Sequence, residues 1–178
     1  GAVLHVAPNR VQAYAETALR VVPESQPVEV ELWIALDVEQ GIVDRLTLRA
    51  PRELSNLRVV AGSEATTVRT SVDQGSQRIQ CFFSDPIAGG QQRLFKIRGQ
   101  LASTADRRIR LPDIRLPLLE ETARYVVLPS ILDDRSLRWV WDNLHSQRLP
   151  PSLSAAATGR SASFSVTGEQ FFAEQQIQ

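Results

Sequence analysis

From Pro27 to Pro51 apolar and polar residues alternate with a period of two, which commits this stretch to extended backbone with two unlike faces. Val28, Val30, Leu32, Ile34, Leu36 and Val38 share one face, and Glu29, Glu31, Trp33, Ala35, Asp37 and Glu39 share the other. The first set reads as core and the second as a face toward water. Gly41 can take the positive φ of a reversal, so the run through Leu46 and Leu48 reads as an antiparallel return.

The same alternation recurs along the chain. Val11 to Val22 reads as a strand rather than a helix, because β-branched residues and Pro23 outweigh its alanines. Ala2 to Val6 reads as an edge strand or a linker. Short strands follow around Leu57 and Val59, then Val68 and Val72. Ile79, Cys81 and Phe83 point one way, and SDPIAGGQQ reads as a Pro/Gly-rich loop. Phe95, Ile97, Gly99 and Leu101 form the next inward set, with Lys96, Arg98 and Gln100 on the wet side. IRLP occurs at 109–112 and again at 114–117, where the prolines forbid a fully paired central strand and predict an edge or a crossing between layers. Leu118 to Ala123 reads as one helical turn. Strands resume at Tyr125 and Val127, at 136–142 and at 160–167, and the tail FFAEQQIQ reads as a last strand or the start of a further segment.

Roughly ten strands separated by turns, with no βαβ alternation, predict an all-β antiparallel β-sandwich. The reading is one module over 1–178. The alternative is a division near 103–121, with a sandwich over 1–103 and a small β unit over 121–178.

Composition narrows the function classes. Twenty basic and twenty acidic residues give a formal net charge of zero, which argues against a dedicated nucleic-acid module. No apolar run is long enough to span a membrane as a helix, so no membrane insertion is expected. Cys81 is the single cysteine, which excludes an internal disulfide, and its inward parity favours an inert buried thiol. His5 and His145 are the two histidines and do not make a metal pair; no metal and no cofactor are expected. The sequence lacks methionine and so reads as a mature product or a piece of a longer chain.

Three sets of residues remain as candidates. Trp33, alone among acids, and Trp139 with Trp141 on one parity could stack on a sugar or anchor a protein contact, although the preferred reading places Trp139 and Trp141 in the core and Trp33 beneath a neighbouring domain, loop or terminal strand. Lys96 and Arg98 share a strand face and could form a basic stripe that binds phosphate, although cross-strand pairing with acids such as Glu29, Glu31 and Asp37, or solvation, is the preferred reading. Asp133, Asp134 and Asp142, or Glu120 with Glu121, could bind calcium or serve a carboxylate-based hydrolase, but no calcium-loop or nucleophile motif accompanies them. No catalytic residue is assigned, and an enzyme is the less favoured class. The leading expectation is a noncatalytic structural or protein-interaction module of a larger bacterial envelope or secreted protein. It would be extracellular, periplasmic or envelope-associated. Its partners would be other domains of a longer parent chain or a separate protein. A carbohydrate-binding module with a tryptophan platform, contacting glycan, is the alternative.

Overall fold

The computed structural model describes residues 10–22, 25, 27–61, 67–73, 75–102, 108–129, 137–157 and 159–177. The strand expected at Ala2–Val6, and with it His5, lies outside these residues, as do Asp133 and Asp134. The strands in chain order are β1 (Gln12–Val22), β2 (Glu29–Gln40), β3 (Ile42–Pro51), β4 (Leu54–Ala61), β5 (Thr67–Asp73), β6 (Ser76–Ala88) and β7 (Gln91–Leu101). They continue with β8 (Ile109–Arg110), β9 (Glu120–Pro129), β10 (Leu137–Asp142), β11 (Leu144–Ser146), β12 (Ser161–Val166) and β13 (Phe172–Ile177). One turn of 3-10 helix, Pro151–Ala156, interrupts the pattern.

One layer of the sandwich is a seven-stranded sheet in the order β11-β12-β9-β1-β2-β7-β4. The facing layer consists of two three-stranded sheets, β3-β6-β5 and β10-β13-β8. The architecture is all-β and largely antiparallel; β1 and β9 pair in parallel. A parallel neighbour needs a long crossover, and here β2 to β8, which run through both layers, lie between the two strands in the chain.

The inner face of β2 behaves as its alternation predicts: Val30, Leu32, Ile34, Leu36 and Val38 are all buried. They meet Leu46 and Leu48 of β3, Ile79, Cys81 and Phe83 of β6 and Phe95 and Ile97 of β7 in one continuous core. At Gly99 a Cβ would lie 2.9 Å from a Leu54 methyl group, so any larger residue there makes the Leu54 and Leu57 side chains shift. The core is closely filled. A void walled by Val30, Leu32, Leu48, Leu54, Ile79, Ile97 and Ile114 holds about 10 Å³, at the lower limit for one water, and its lining is apolar.

The IRLP run is a crossing segment. Its first copy donates β8 to β13, and Leu111 N–H bonds the carbonyl of Ala173 at 3.0 Å. Arg115 then exchanges backbone hydrogen bonds of 2.8 and 2.9 Å with Arg49 of β3. Leu111, Ile114 and Leu116 fill the core between these anchors, and the prolines end the pairing on each side. The second layer is therefore stitched across its middle.

Three local expectations are corrected. Gly41 has the positive φ, 83°, that a reversal needs, yet β3 does not pair with β2. The chain crosses to the facing layer, where β3 pairs with β6. SDPIA is not a loop: β6 continues to Ala88, with Pro86 beside a register shift in the β3–β6 ladder that lets a proline sit near a strand end. Residues 118–123 form no helical turn. Leu119 closes a tight turn onto Leu116 and β9 begins at Glu120, because pairing with β1 outweighs the helical preference of Leu-Leu-Glu-Glu.

Candidate functional site

The outer face of the main sheet departs most from the sequence expectation. Glu29 and Glu31, expected to face water, are 7 % and 1 % exposed. The strand register explains this. Arg20 of β1 lies opposite Glu31, Glu31 opposite Arg98 of β7, and Arg98 opposite Arg58 of β4, so one row of charges crosses four strands. Arg98 bonds Glu31 and reaches Glu29 at 3.4 Å, while Arg20 pairs with Glu31 at 3.2 Å. Arg58 donates to Glu29 Oε1 at 2.8 Å. Arg98 is thus engaged in ion pairs and half-buried, rather than part of a free basic stripe.

Burial alone would push the Glu29 pKa up; the hydrogen bond from Arg58 and the charges of Arg58 and Arg98 outweigh it and hold the carboxyl below its ordinary value. A carboxyl with a depressed folded-state pKa contributes stability that is fully present above its unfolded value, near 4.3, and is lost as pH falls through the folded value. Glu29→Gln is therefore expected to flatten the acid limb of a pH–stability curve below about pH 4. An acid limb identical to that of the wild type would contradict the assignment.

Trp33 sits in the next row. Its neighbours in register are Ala18 of β1 and Lys96 of β7, and the Lys96 ammonium lies 4.9 Å above the indole centroid. Over the same face the 3-10 turn lays Leu153 and Ala156, both fully buried, against Ala18 and Tyr125, with Trp33 and Ala35 at the margin. Ser152 fixes the turn by donating to Glu16 Oε2 at 2.6 Å. Trp33 is half-buried, and its Nε1 has no hydrogen-bond partner among the described residues.

The other two tryptophans lie in the facing layer, on β10. Trp139 packs against the central core, and Trp141 is 45 % exposed with its ring 5.1 Å from that of Phe164, tilted by 48°. The three indoles do not share a surface, since Trp33 is on the outside of the main sheet. Asp142 and His145 are exposed on either side of the corner at Asn143, whose φ of 58° turns the chain from one layer to the other. Glu121 is enclosed, bonded by Arg115 Nε at 2.9 Å and approached by Arg124 Nε at 3.9 Å. Arg124 also bonds Asp113, which ties β9 to the IRLP crossing. Among the described residues no group of three or more His, Cys, Asp and Glu could hold a metal ion.

Burial pushes the Cys81 thiol up to about 11. Maleimide is expected to leave the native protein unmodified and to label it stoichiometrically in denaturant; fast labelling of the native state would contradict this packing.

A second charged surface is assembled by register alone. On the outer face of β3-β6-β5, register sets Arg45 opposite Phe82 and Phe82 opposite Thr67; Thr47 opposite Gln80 and Gln80 opposite Arg69; and Arg49 opposite Arg78 and Arg78 opposite Ser71. Arg45, Arg49, Arg69 and Arg78 are all exposed. The Arg45 and Arg69 guanidiniums stand 5.6 and 5.1 Å from the Phe82 centroid. Asp44 pairs with Arg45 at 3.2 Å, and among the described residues no carboxylate pairs with the other three. Thr47 of β3, between Arg45 and Arg49 on this face, is 6 % exposed, and its Oγ1 has no hydrogen-bond partner among the described residues. The signal was present as arginine on the outward parity of three strands, but only the pairing brings the four together.

No protein-family model and no curated protein matches the chain. Solved structures that align with it include a two-domain M1 zinc metallopeptidase bound to L-tryptophan, at 13% identity and TM-score 0.37 over 96% of this chain and 43% of that one. An M1 zinc metallopeptidase from Deinococcus radiodurans aligns at 12% identity and TM-score 0.36, over 93% of this chain and 41% of the other. A non-cellulosomal cohesin from the archaeon Archaeoglobus fulgidus aligns at 11% identity and TM-score 0.29, over 58% of this chain and 74% of its own. The chain thus spans less than half of the two metallopeptidase chains. Similarity at this level transfers no activity.

Proposed function

We propose that this chain is a noncatalytic β-sandwich module that provides architecture and protein contact within a larger secreted or cell-envelope protein. The observation that carries the reading is the contrast between its two layers. On the main sheet, Glu29 and Glu31 of β2 are engaged in ion pairs, Lys96 stands over Trp33, and the 3-10 turn covers the adjoining rows. On the facing layer, β5 ends its sheet with six of its seven residues exposed, and the arginine face lies beside it. An exposed edge strand with unpaired backbone groups is a ready site for a second chain.

Photo-crosslinking in the native cells tests this. A benzophenone side chain at Thr70 in β5 is expected to give a discrete protein adduct, in the secreted or envelope fraction, while the same group at exposed Glu39 does not. Equal adducts at both positions, or none at Thr70, would defeat the proposal.

The half-exposed ring of Trp141 beside Phe164 supports glycan contact as a second reading. It expects glycan-dependent quenching of tryptophan fluorescence that Trp141→Ala abolishes.

A further inference from the structure

We infer that the edge of β5, unpaired among the described residues, takes an extended, acidic polypeptide strand in which Asp or Glu alternates with Val, Ile or Thr. The inference rests on the contact-module reading and names the occupant. β5 has two faces at this edge. Val68, Thr70 and Val72 lie on the parity that faces the core, opposite Cys81, Ile79 and Gln77 of β6, yet Val72 is 65 % exposed and Thr70 is also exposed. Thr67, Arg69 and Ser71 lie on the parity of the arginine face. A strand added beside β5 sits about 4.8 Å away and presents a side chain to each face alternately. Its inward residues meet Val68, Thr70 and Val72, so apolar or β-branched side chains fit there.

Its outward residues meet the arginines. One lies in the row of Arg69 and can pair with that guanidinium directly. The next, about 6.8 Å along, lies in the row of Ser71, whose short side chain leaves a path to Arg78 one strand further in. The preceding one lies in the row of Thr67, toward Phe82 and Arg45. Acidic residues at every second position therefore match the face, and their carboxylates meet guanidiniums that, among the described residues, have no carboxylate partner at Arg69 and Arg78.

Two other occupants fit less well. A second copy of β5 would bring the arginine face of one molecule beside that of the other, and like charges across a strand pair are unfavourable. A polyanionic glycan or nucleic acid could use the charge but neither the backbone edge nor the exposed Val72. Arg52, which donates to the Asp73 carbonyl at 2.7 and 3.1 Å, holds the end of β5 in place for pairing.

The test is titration of the 178-residue chain with a short acetylated peptide of alternating Glu and Val, followed by amide NMR. Saturable binding is expected, with the largest shifts at residues 67–73. Alternate N-methylation of the peptide, made in both registers, keeps the charges but removes edge hydrogen bonds; at least one register should lose roughly tenfold or more in affinity, as should Arg69→Glu. Arg78→Gln, which keeps a polar side chain of similar shape, should weaken binding to a smaller degree. Absent binding, full affinity in both methylated peptides, or tighter binding of a charge-matched oligonucleotide or sulfated glycan would each overturn the inference. If Thr70 crosslinks to a protein in cells while the peptide fails, the contact-module reading stands and the acidic-strand inference falls.

Discussion

Glu31→Ala is expected to destabilise the fold by about 3–5 kcal/mol, as breaking a buried ion pair from one side does. The Glu31 side chain is 2 % exposed and lies between Arg98 and Arg20, whose side chains are 27 % and 18 % exposed. Removing the carboxylate leaves two guanidiniums facing each other over a β-sheet with little water to screen them. The size of the loss would reflect the stranded arginines more than the net value of the pair. Replacing Arg20 by Met, Glu31 by Leu and Arg98 by Met together should recover most of the stability, because both guanidiniums that faced the carboxylate have gone and the aliphatic side chains still cover the sheet. Denaturant unfolding of the two variants checks this. A loss below about 1 kcal/mol for Glu31→Ala would place the pair in the class of surface bridges and contradict its burial.

Phe95→Ala should cost a comparable amount, about 3–5 kcal/mol, for a different reason. Phe95 is 1 % exposed and stacks on Phe83 at 4.8 Å, with the ring planes 10° apart. The pair joins β7 of the main sheet to β6 of the facing layer. These two strands are consecutive and lie in different sheets, so the stack closes the sandwich where the chain crosses over. Truncation leaves a cavity that the rings and the rigid strands around it can only partly fill. In a domain of this size each kcal/mol moves Tm by about 2–4 °C, so a fall of roughly 10 °C is expected by calorimetry. Phe95→Leu should lose much less. Equal losses for both would mean that ring stacking, rather than volume, holds the layers together.

Local alternation made the strands and their inner faces readable. Val30 to Val38, Ile79 to Phe83 and Phe95 to Ile97 are buried as their parity indicates. Parity says which residues share a face but is silent on what covers that face. Pairing of Glu29 and Glu31 with Arg98 is readable from the alternating charges, but their burial is not, because it also needs Arg20 and Arg58, which come from two further strands. The 3-10 turn that covers Ala18 and adjoins Trp33 lies far from both in sequence. Gly41 was recognisable as a turn, whereas its crossing between layers depends on β3 finding β6. The parallel pairing of β1 with β9 has no local signature at all. For the same reason Trp33 could be singled out as unusual while the arginine face could not. Arg45, Arg49, Arg69 and Arg78 belong to three strands, and only sheet register makes them neighbours.

The β5 edge as the surface of contact is tested most directly by hydrogen exchange on the native protein from cells, compared with the isolated 178-residue chain. In the isolated chain the amides of residues 67–73 should exchange faster than those of β1, β2 and β7, which have strands on both sides. In the native assembly residues 67–73 should gain protection while the main sheet stays unchanged. Protection that appears at β10 around Trp141, with β5 exchanging as fast as before, would contradict this assignment of the contact surface.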